Sequence, residues 1–169
     1  NNITASIIKK GSMINDVFNR VAQLGIDTSK FEKVPAMALG VFDICVKDIV
    51  GAIAPFANEG VYVKPLYLLR IEDKFGNVIY DHDIQSKQVW NKETAFSILE
   101  MMKLVTKGVK HPTLKNIHGN PIIGGTAIRI RGKETEDRPY AGISQPIAGK
   151  TGTTQNQSDG WFMGLTPDL

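Results

Sequence analysis

Length, composition and charge indicate an ordinary globular chain. Its 169 residues are 42% hydrophobic and 22% charged, with a formal net charge of +3, which allows one domain with a sizeable core and excludes a disordered protein. Charges of both signs are mixed, as in 133–138, so the chain lacks a basic stripe and we expect no nucleic-acid partner. A single cysteine excludes an intrachain disulfide, and no apolar run approaches the length of a membrane span.

Two helices are predicted in the first third of the chain. Apolar residues at helical spacing predict a helix, kinked or in two pieces, over 3–24, with Gly25 as its stop. A second helix is predicted over 43–53, capped by its first residue, an aspartate. Cys45 lies in this apolar helix, where a buried thiol is expected. Pro55 should kink or disturb the end of the helix.

A hairpin and a third helix are predicted next. The runs 61–71 and 78–80 flank a Phe-Gly-Asn turn at 75–77, which predicts an outlying β-hairpin. A helix is predicted over 92–107, ended by Gly108. We expect its core side to carry the apolar residues Phe96, Leu99, Met102 and Leu104.

The stretch that follows carries weak signals. We predict a loop over 111–124, whose two histidines match no usual metal-ligand spacing, so we expect no metal site. The short segment 128–130 should present Arg129 and Arg131 to solvent. A second loop, 139–146, delivers the chain to the most informative segment.

That segment is Lys-Thr-Gly-Thr-Thr at 150–154. It follows an apolar run and leads into a second predicted strand over 159–164. Side chains alternate across a strand, so Lys150 and Gly152 share one face, and the missing side chain of Gly152 leaves room for a substrate close to the backbone. Lys150 can offer its charge to a carboxylate or tune a hydroxyl, while a backbone N–H at an exposed edge can point at an oxyanion.

The chain resembles a known family in this region. The segment 147–167 closely resembles the Lys-Thr-Gly region of class A penicillin-binding proteins, the bifunctional enzymes of peptidoglycan synthesis. Further segments resemble that family in the same order, at 35–40, 56–60, 71–80, 105–109 and 125–127. The resemblance therefore covers essentially the whole chain.

The resemblance implies a serine D,D-transpeptidase that acts on D-Ala-D-Ala stem peptides, is acylated by β-lactams and needs no cofactor. It implies Lys150 as the cation, Thr151 and Thr153 as hydroxyls on the carboxylate side, Gly152 as a substrate-binding position and the Thr153 amide as an oxyanion donor. It implies an α/β (α+β) fold of the β-lactamase/transpeptidase type, with helices packed on an incomplete antiparallel sheet. The parent protein would be anchored in the membrane at its extracytoplasmic, periplasmic face, with an upstream glycosyltransferase domain.

Two companion motifs of the family, Ser-x-x-Lys and Ser-x-Asn, bear on the nucleophile. The tetrad 6–9 has the first spacing, but no Ser-x-Asn follows it, so we interpret Ser6 and Lys9 as ordinary helix residues. Residues 1–5 resemble those that follow the serine of Ser-x-Asn, which makes Asn1 the asparagine of that catalytic element. We therefore expect 1–169 to be the C-terminal part of a transpeptidase domain that lacks the Ser-x-x-Lys segment and the last strands. Its incomplete sheet could pair edge to edge with a second copy.

Two other functions stay open. A serine β-lactamase-like hydrolase shares the motif, although we find no candidate for its deacylating carboxylate. A non-catalytic module that binds peptide or penicillin would describe residues 1–169 if their serine nucleophile is encoded elsewhere. Product analysis with and without an added amine separates hydrolysis from transfer, and intact mass after exposure to penicillin detects binding without chemistry.

Overall fold

The computed structural model describes residues 6, 13–131 and 142–167, and the chain divides into two compact units, 1–92 and 93–169. Both units combine α-helix with short antiparallel strand pairs. Among the described residues the strands form four separate two-stranded ribbons. The α/β fold class expected from the sequence is confirmed.

Helix α1 spans Met13–Gln23 in the first unit and matches the second part of the predicted helix. Phe18 is its buried residue, and Gly25 follows with a φ of 82°, a left-handed conformation that stops the helix at little cost for glycine. Of the preceding predicted residues, Ser6 is helical and exposed. The others up to residue 12 lie outside the described part of the chain.

Helix α2 spans Val46–Ile53 and begins three residues later than predicted. Its N-cap is Cys45, which has extended backbone angles and makes no side-chain cap. The prediction that Cys45 is buried is wrong, because the thiol precedes the first turn and is exposed. Pro55 is buried in the 3-10 helix Ala54–Phe56, so the predicted disturbance at the helix end is confirmed. A further 3-10 helix, Pro35–Leu39, was not predicted.

Aromatic side chains supply much of the first unit's core. The Phe31 and Phe42 rings stack with centroids 4.4 Å apart, and Phe18 meets Phe42 edge-on at 6.2 Å. An apolar cavity of about 310 Å³ lies among these rings and the two helices. Arg20 donates a hydrogen bond to the carbonyl of Val89 at 2.9 Å, which ties α1 to the end of the unit.

The predicted strand 61–71 is in fact two strands. Strand β1, Val61–Val63, pairs with β4, Ser86–Gln88, whereas β2, Arg70–Glu72, pairs with β3, Val78–Asp81. Pro65 stands in the interruption and has no N–H to donate to a ladder. The predicted hairpin between β2 and β3 is confirmed, and its strand residues are all exposed, as expected of an outlying ribbon.

Helix α3, Lys92–Lys107, has the predicted bounds, and Gly108 ends it with a φ of 78°. Its predicted core side is partly wrong, since Phe96 is 63% exposed and Leu104 is 42% exposed. The buried residues are instead Ala95 and Thr106. The first and the last turn of α3 therefore each contribute one buried residue.

The prediction of a loop over 111–124 is wrong. Strand β5, Val109–Lys115, pairs with β6, Pro121–Gly124, in an antiparallel hairpin. The Asn116 side chain accepts amide hydrogen bonds from His118 and Asn120 at 3.0 Å and so closes the turn. Both strands are exposed along their whole length, and the sequence therefore lacks the alternation of apolar and polar residues that predicts a strand.

The described residues contain neither a membrane-spanning helix nor a cluster of metal-binding side chains. None of the helices there is both long and apolar enough to cross a membrane. No group of three or more His, Cys, Asp or Glu in that part of the chain could hold a metal ion. The His111 ring instead accepts a hydrogen bond from the Leu114 amide at 2.9 Å. As expected, Arg129 and Arg131 are exposed.

The Asp73 carboxylate closes the β2–β3 turn. The Asn77 side chain donates to it at 2.7 Å, and the amides of Asn77 and Phe75 donate at 2.9 and 2.8 Å. The Asn77 side-chain hydrogen bond, followed by the backbone ones, lowers the pKa of Asp73 below 3.8. Because the folded pKa is depressed, the stabilisation is present above the unfolded pKa and is lost as pH falls through the folded pKa.

We expect an NMR titration to give Asp73 a pKa below 3.8. Amide protection of Phe75 and Asn77 should fall on acidification through that pKa. In Asp73→Ala, which removes the acceptor oxygens, the protection should be weak already at neutral pH, whereas Asp83→Ala, in the exposed loop after β3, should behave as the wild type. A carboxyl of Asp73 that titrates at or above its ordinary pKa would contradict this account of the turn.

Candidate functional site

The Lys-Thr-Gly segment forms a strand, as predicted. Strand β7, Ala148–Thr153, pairs antiparallel with β8, Gly160–Leu165, without a break in register. Lys150 lies opposite Met163, and Gly152 lies opposite Trp161. The start of the ribbon is buried, whereas Lys150 and Thr153 are exposed. The buried start anchors the ribbon and leaves its second half accessible.

The face shared by Lys150 and Gly152 is open. A Cβ built at Gly152 would meet the Trp161 Cβ at 3.5 Å, an ordinary van der Waals contact. The backbone there has no positive φ that would require glycine. Packing within the described residues therefore does not demand glycine at this position.

The opposite face contains two glycines of a different kind. Gly149 and Gly164 are directly paired, and the Phe162 ring lies over both of them. A Cβ at Gly149 would come within 2.5 Å of the Phe162 Cζ and 2.7 Å of the Met163 carbonyl oxygen. Gly149 is thus required by packing, in contrast to Gly152.

The edge of β7 that faces away from β8 presents backbone groups. The Thr154 amide donates to the Asp159 carbonyl at 3.2 Å, which places that N–H on the β8 side. Successive residues of an antiparallel strand alternate in direction, so the N–H of Thr153 and the carbonyl of Thr151 point to the other edge. Among the described residues β7 pairs only with β8, so this edge carries no strand.

Lys150 reaches the same edge. Its ammonium donates a hydrogen bond to the carbonyl oxygen of Thr151. None of the ion pairs found among residues 13–131 and 142–167 involves Lys150. The cation is thus held beside the backbone of the strand by a neutral acceptor and is open to solvent.

Thr151 has a second partner that sequence analysis did not assign to the site. Its hydroxyl donates to the Thr126 hydroxyl at 2.8 Å. Thr126 belongs to the Gly-Thr-Ala stretch at 125–127 that resembles the family, and this resemblance was the only sign in the sequence that the stretch could matter for the site. The contact of Thr126 with the strand could not be derived from the sequence.

Two hydrogen bonds at the end of α3 hold the segments that carry Thr151 and Thr126. The buried Thr106 hydroxyl donates to the Ile147 carbonyl at 2.6 Å, one residue before β7. The Ala127 amide donates to the Val105 carbonyl at 3.0 Å, next to Thr126. Adjacent residues of one helical turn therefore fix the start of the strand and the Thr126 turn.

The other candidate residues are not brought to this strand by the described structure. Asn1 lies outside the described residues, as does Lys9. Ser6 is described as an exposed helical residue. The residues of the candidate site therefore all belong to the second unit. They are Lys150, Gly152, Thr153 and the hydroxyl pair Thr126–Thr151, whose oxygens are 2.8 Å apart.

Comparison with protein families and sequences gives consistent results. The family model described as the penicillin-binding protein transpeptidase domain matches residues 25–168. Penicillin-binding protein 1B of Haemophilus influenzae is 30% identical over 152 residues, which cover 90% of this chain and 16% of that protein. Penicillin-binding protein 2D of Bacillus subtilis is 28% identical over 155 residues, 92% of this chain and 19% of that protein. The chain thus spans less than a fifth of the length of these curated relatives.

Solved structures show the same fold. The crystal structure of penicillin-binding protein 1A from Haemophilus influenzae superposes with a TM-score of 0.71 at 19% identity, covering 96% of this chain and 26% of that chain. Penicillin-binding protein A from M. tuberculosis, solved as an imipenem acyl-enzyme complex, superposes with a TM-score of 0.59 at 15% identity, covering 95% and 35% of the two chains.

The two kinds of glycine in the ribbon should respond differently to a methyl group. Gly149→Ala should lower the free energy of unfolding by about 1–3 kcal/mol, because the ring of Phe162 and a backbone carbonyl occupy the space of the new Cβ. Gly152→Ala should change it by less than about 0.5 kcal/mol, because its Cβ finds an ordinary contact. Denaturant unfolding of both variants measures the difference. Equal destabilisation would contradict the assignment of Gly152 as a position free of packing demands.

Proposed function

The chain belongs to the family of penicillin-binding protein transpeptidase domains, and from this premise we propose that it forms the Lys-Thr-Gly part of a peptidoglycan D,D-transpeptidase site. In the proposed reaction a serine attacks the D-Ala-D-Ala bond of a stem peptide and releases the terminal D-Ala. The acyl-enzyme then passes its acyl group to an amine of a neighbouring strand. A β-lactam acylates the same serine.

The observation that carries the proposal is the setting of Lys150. Its ammonium is exposed on the strand, and its recorded partner is the neutral carbonyl of Thr151 rather than a carboxylate. A ligand carboxylate forms a stronger, charge-assisted hydrogen bond with an ammonium than a neutral carbonyl does. Exchange of the carbonyl for the carboxylate of a stem peptide or a β-lactam is therefore favourable. The open space at Gly152 lies on the same face.

The free edge of β7 supports the same reaction. The Thr153 amide points away from β8, where it can donate to the oxyanion of a tetrahedral intermediate. An extended peptide can also bind there as an added strand, since main-chain hydrogen bonds supply affinity without any particular side chain. Thr151 and Thr153 lie on the face opposite Lys150 and Gly152, and we assign their hydroxyls to the substrate carboxylate where it meets the free edge of β7.

We attribute the nucleophilic serine and its lysine base to a part of the polypeptide outside 1–169, with Asn1 as the asparagine of the Ser-x-Asn element. This makes 1–169 the C-terminal part of the transpeptidase domain, and the small share of two curated relatives that the chain covers, 16% and 19%, supports it. For the complete protein we propose an upstream glycosyltransferase domain, a membrane anchor and a site on the extracytoplasmic side, where peptidoglycan is built.

Lys150→Ala in the complete protein should lower the rate of labelling by a fluorescent penicillin about 100-fold or more, because a positioned charge in the site is lost. The thermal unfolding midpoint should stay unchanged, since the side chain is exposed. Lys115→Ala, which removes an exposed lysine from β5, serves as the matched control and should label like the wild type. Labelling of Lys150→Ala at the wild-type rate would remove this residue from the site.

Residues 1–169 produced alone should take no label. Their intact mass should be unchanged after exposure to penicillin, because the attacking hydroxyl is supplied from elsewhere. Ser6 is the residue to monitor, as it is an exposed helical serine with a lysine at the Ser-x-x-Lys spacing. A stoichiometric adduct that Ser6→Ala abolishes would overturn this assignment and make Ser6 the nucleophile.

A further inference from the structure

The hydroxyl pair of Thr126 and Thr151 connects the strand to a turn more than twenty residues away. We propose that Thr126 is a positioning residue, which fixes the Thr151 hydroxyl so that the pair presents one O–H to the carboxylate of the substrate. The inference rests on the proposed function and adds to it a residue outside the Lys-Thr-Gly motif. Its evidence is the 2.8 Å contact between the two oxygens and the way the Thr126 turn is held.

The hydrogen-bond donors of this hydroxyl pair can be counted. Each threonine brings one O–H donor, and the contact uses one of the two. With Thr151 donating to Thr126, as the geometry records, the Thr126 O–H stays available to a ligand. The pair therefore keeps one donor for an anion, the O–H of Thr126.

The turn that carries Thr126 cannot shift easily. Its neighbour Gly125 is enclosed, since a Cβ there would come within 3.0 Å of the Gly108 Cα and 3.1 Å of the Val105 carbonyl oxygen. On the other side, the Ala127 amide donates to the same Val105 carbonyl at 3.0 Å, and Ala127 is 7% exposed. Thr126 is thus an exposed residue between two anchored neighbours, as a positioning group must be.

The strand is fixed to the same helical turn. Thr106 follows Val105 in α3 and donates its buried hydroxyl to the carbonyl of Ile147, just before β7. Adjacent residues of one helix therefore anchor both elements, the turn at Ala127 and the strand at Ile147. A hydrogen bond between two anchored elements needs little further ordering, so it can direct the Thr151 hydroxyl at small entropic cost.

The test uses the complete protein and separates binding from chemistry. Thr126→Val keeps the shape of the residue and removes the hydroxyl. We expect it to raise the half-saturating concentration of benzylpenicillin about tenfold, while the acylation rate at saturation stays within about twofold, because the lost hydrogen bond acts on the carboxylate of the ligand. Thr126→Ser should restore the wild-type value. Thr113→Val, an exposed threonine of β5, is the matched control and should have no effect.

A second probe distinguishes positioning from general support of the fold. The methyl ester of benzylpenicillin lacks the free carboxylate, so Thr126→Val should acylate with it as the wild type does. Equal losses with the acid and the ester would overturn the proposal, as would a Thr126→Ser that fails to restore binding of the acid. If Thr126→Val lowers the unfolding midpoint, the acid and the ester are compared with Thr126→Ala instead, which also removes the hydroxyl at this exposed position.

The outcome also separates this inference from the proposed function. A wild-type protein that takes no label from benzylpenicillin would contradict both. A labelled wild type together with a Thr126→Val variant of unchanged half-saturation would contradict only the role of Thr126.

Discussion

The hydrogen bond from the Thr106 hydroxyl to the Ile147 carbonyl is the contact on which the geometry of the site depends. Its donor residue is 1% exposed and the oxygens are 2.6 Å apart. A buried carbonyl that loses its donor costs about 1–3 kcal/mol, so the end of α3 and the start of β7 are held at one spacing. Lys150 lies three residues further along β7 and takes its position from this anchor.

Glycine has two separate functions in the ribbon that follows. Gly149 and Gly164 make room for the Phe162 ring, whose atoms would lie within 3 Å of a Cβ at either residue. Gly152 leaves the other face open beside Trp161, which is 53% exposed. The missing side chains thus allow close packing at Gly149 and Gly164, whereas at Gly152 the missing side chain leaves the backbone accessible. The sequence shows four glycines in two strands, and the structure alone tells that Gly149 and Gly164 lie against the Phe162 ring.

Signals that are local in the chain predicted structure well. The bounds of α3 follow from helical periodicity and the Gly108 stop, and the β7–β8 ribbon follows from its alternation and motif. The β5–β6 hairpin was missed because both strands are exposed and show no apolar alternation. In the candidate site, the position of Lys150 on a strand could be predicted from its motif. The contact between Thr126 and Thr151 could not, because the two residues are 25 apart and their contact depends on how the turn packs against α3.

Thr151 is the residue at which the two polar groups of the site meet. Its carbonyl accepts from the Lys150 ammonium, and its hydroxyl donates to Thr126. Backbone and side chain leave a strand residue in different directions, so a ligand carboxylate near Thr151 can be approached by the cation from the edge and by a hydroxyl from the face. A charge alone attracts any anion, whereas a charge and a directed O–H beside the same residue also fix the orientation of the bound anion. In the proposed reaction, an oriented carboxylate places the scissile carbonyl against the oxyanion donor that we assign to the Thr153 amide, because such a donor acts only when the oxygen is within hydrogen-bond reach.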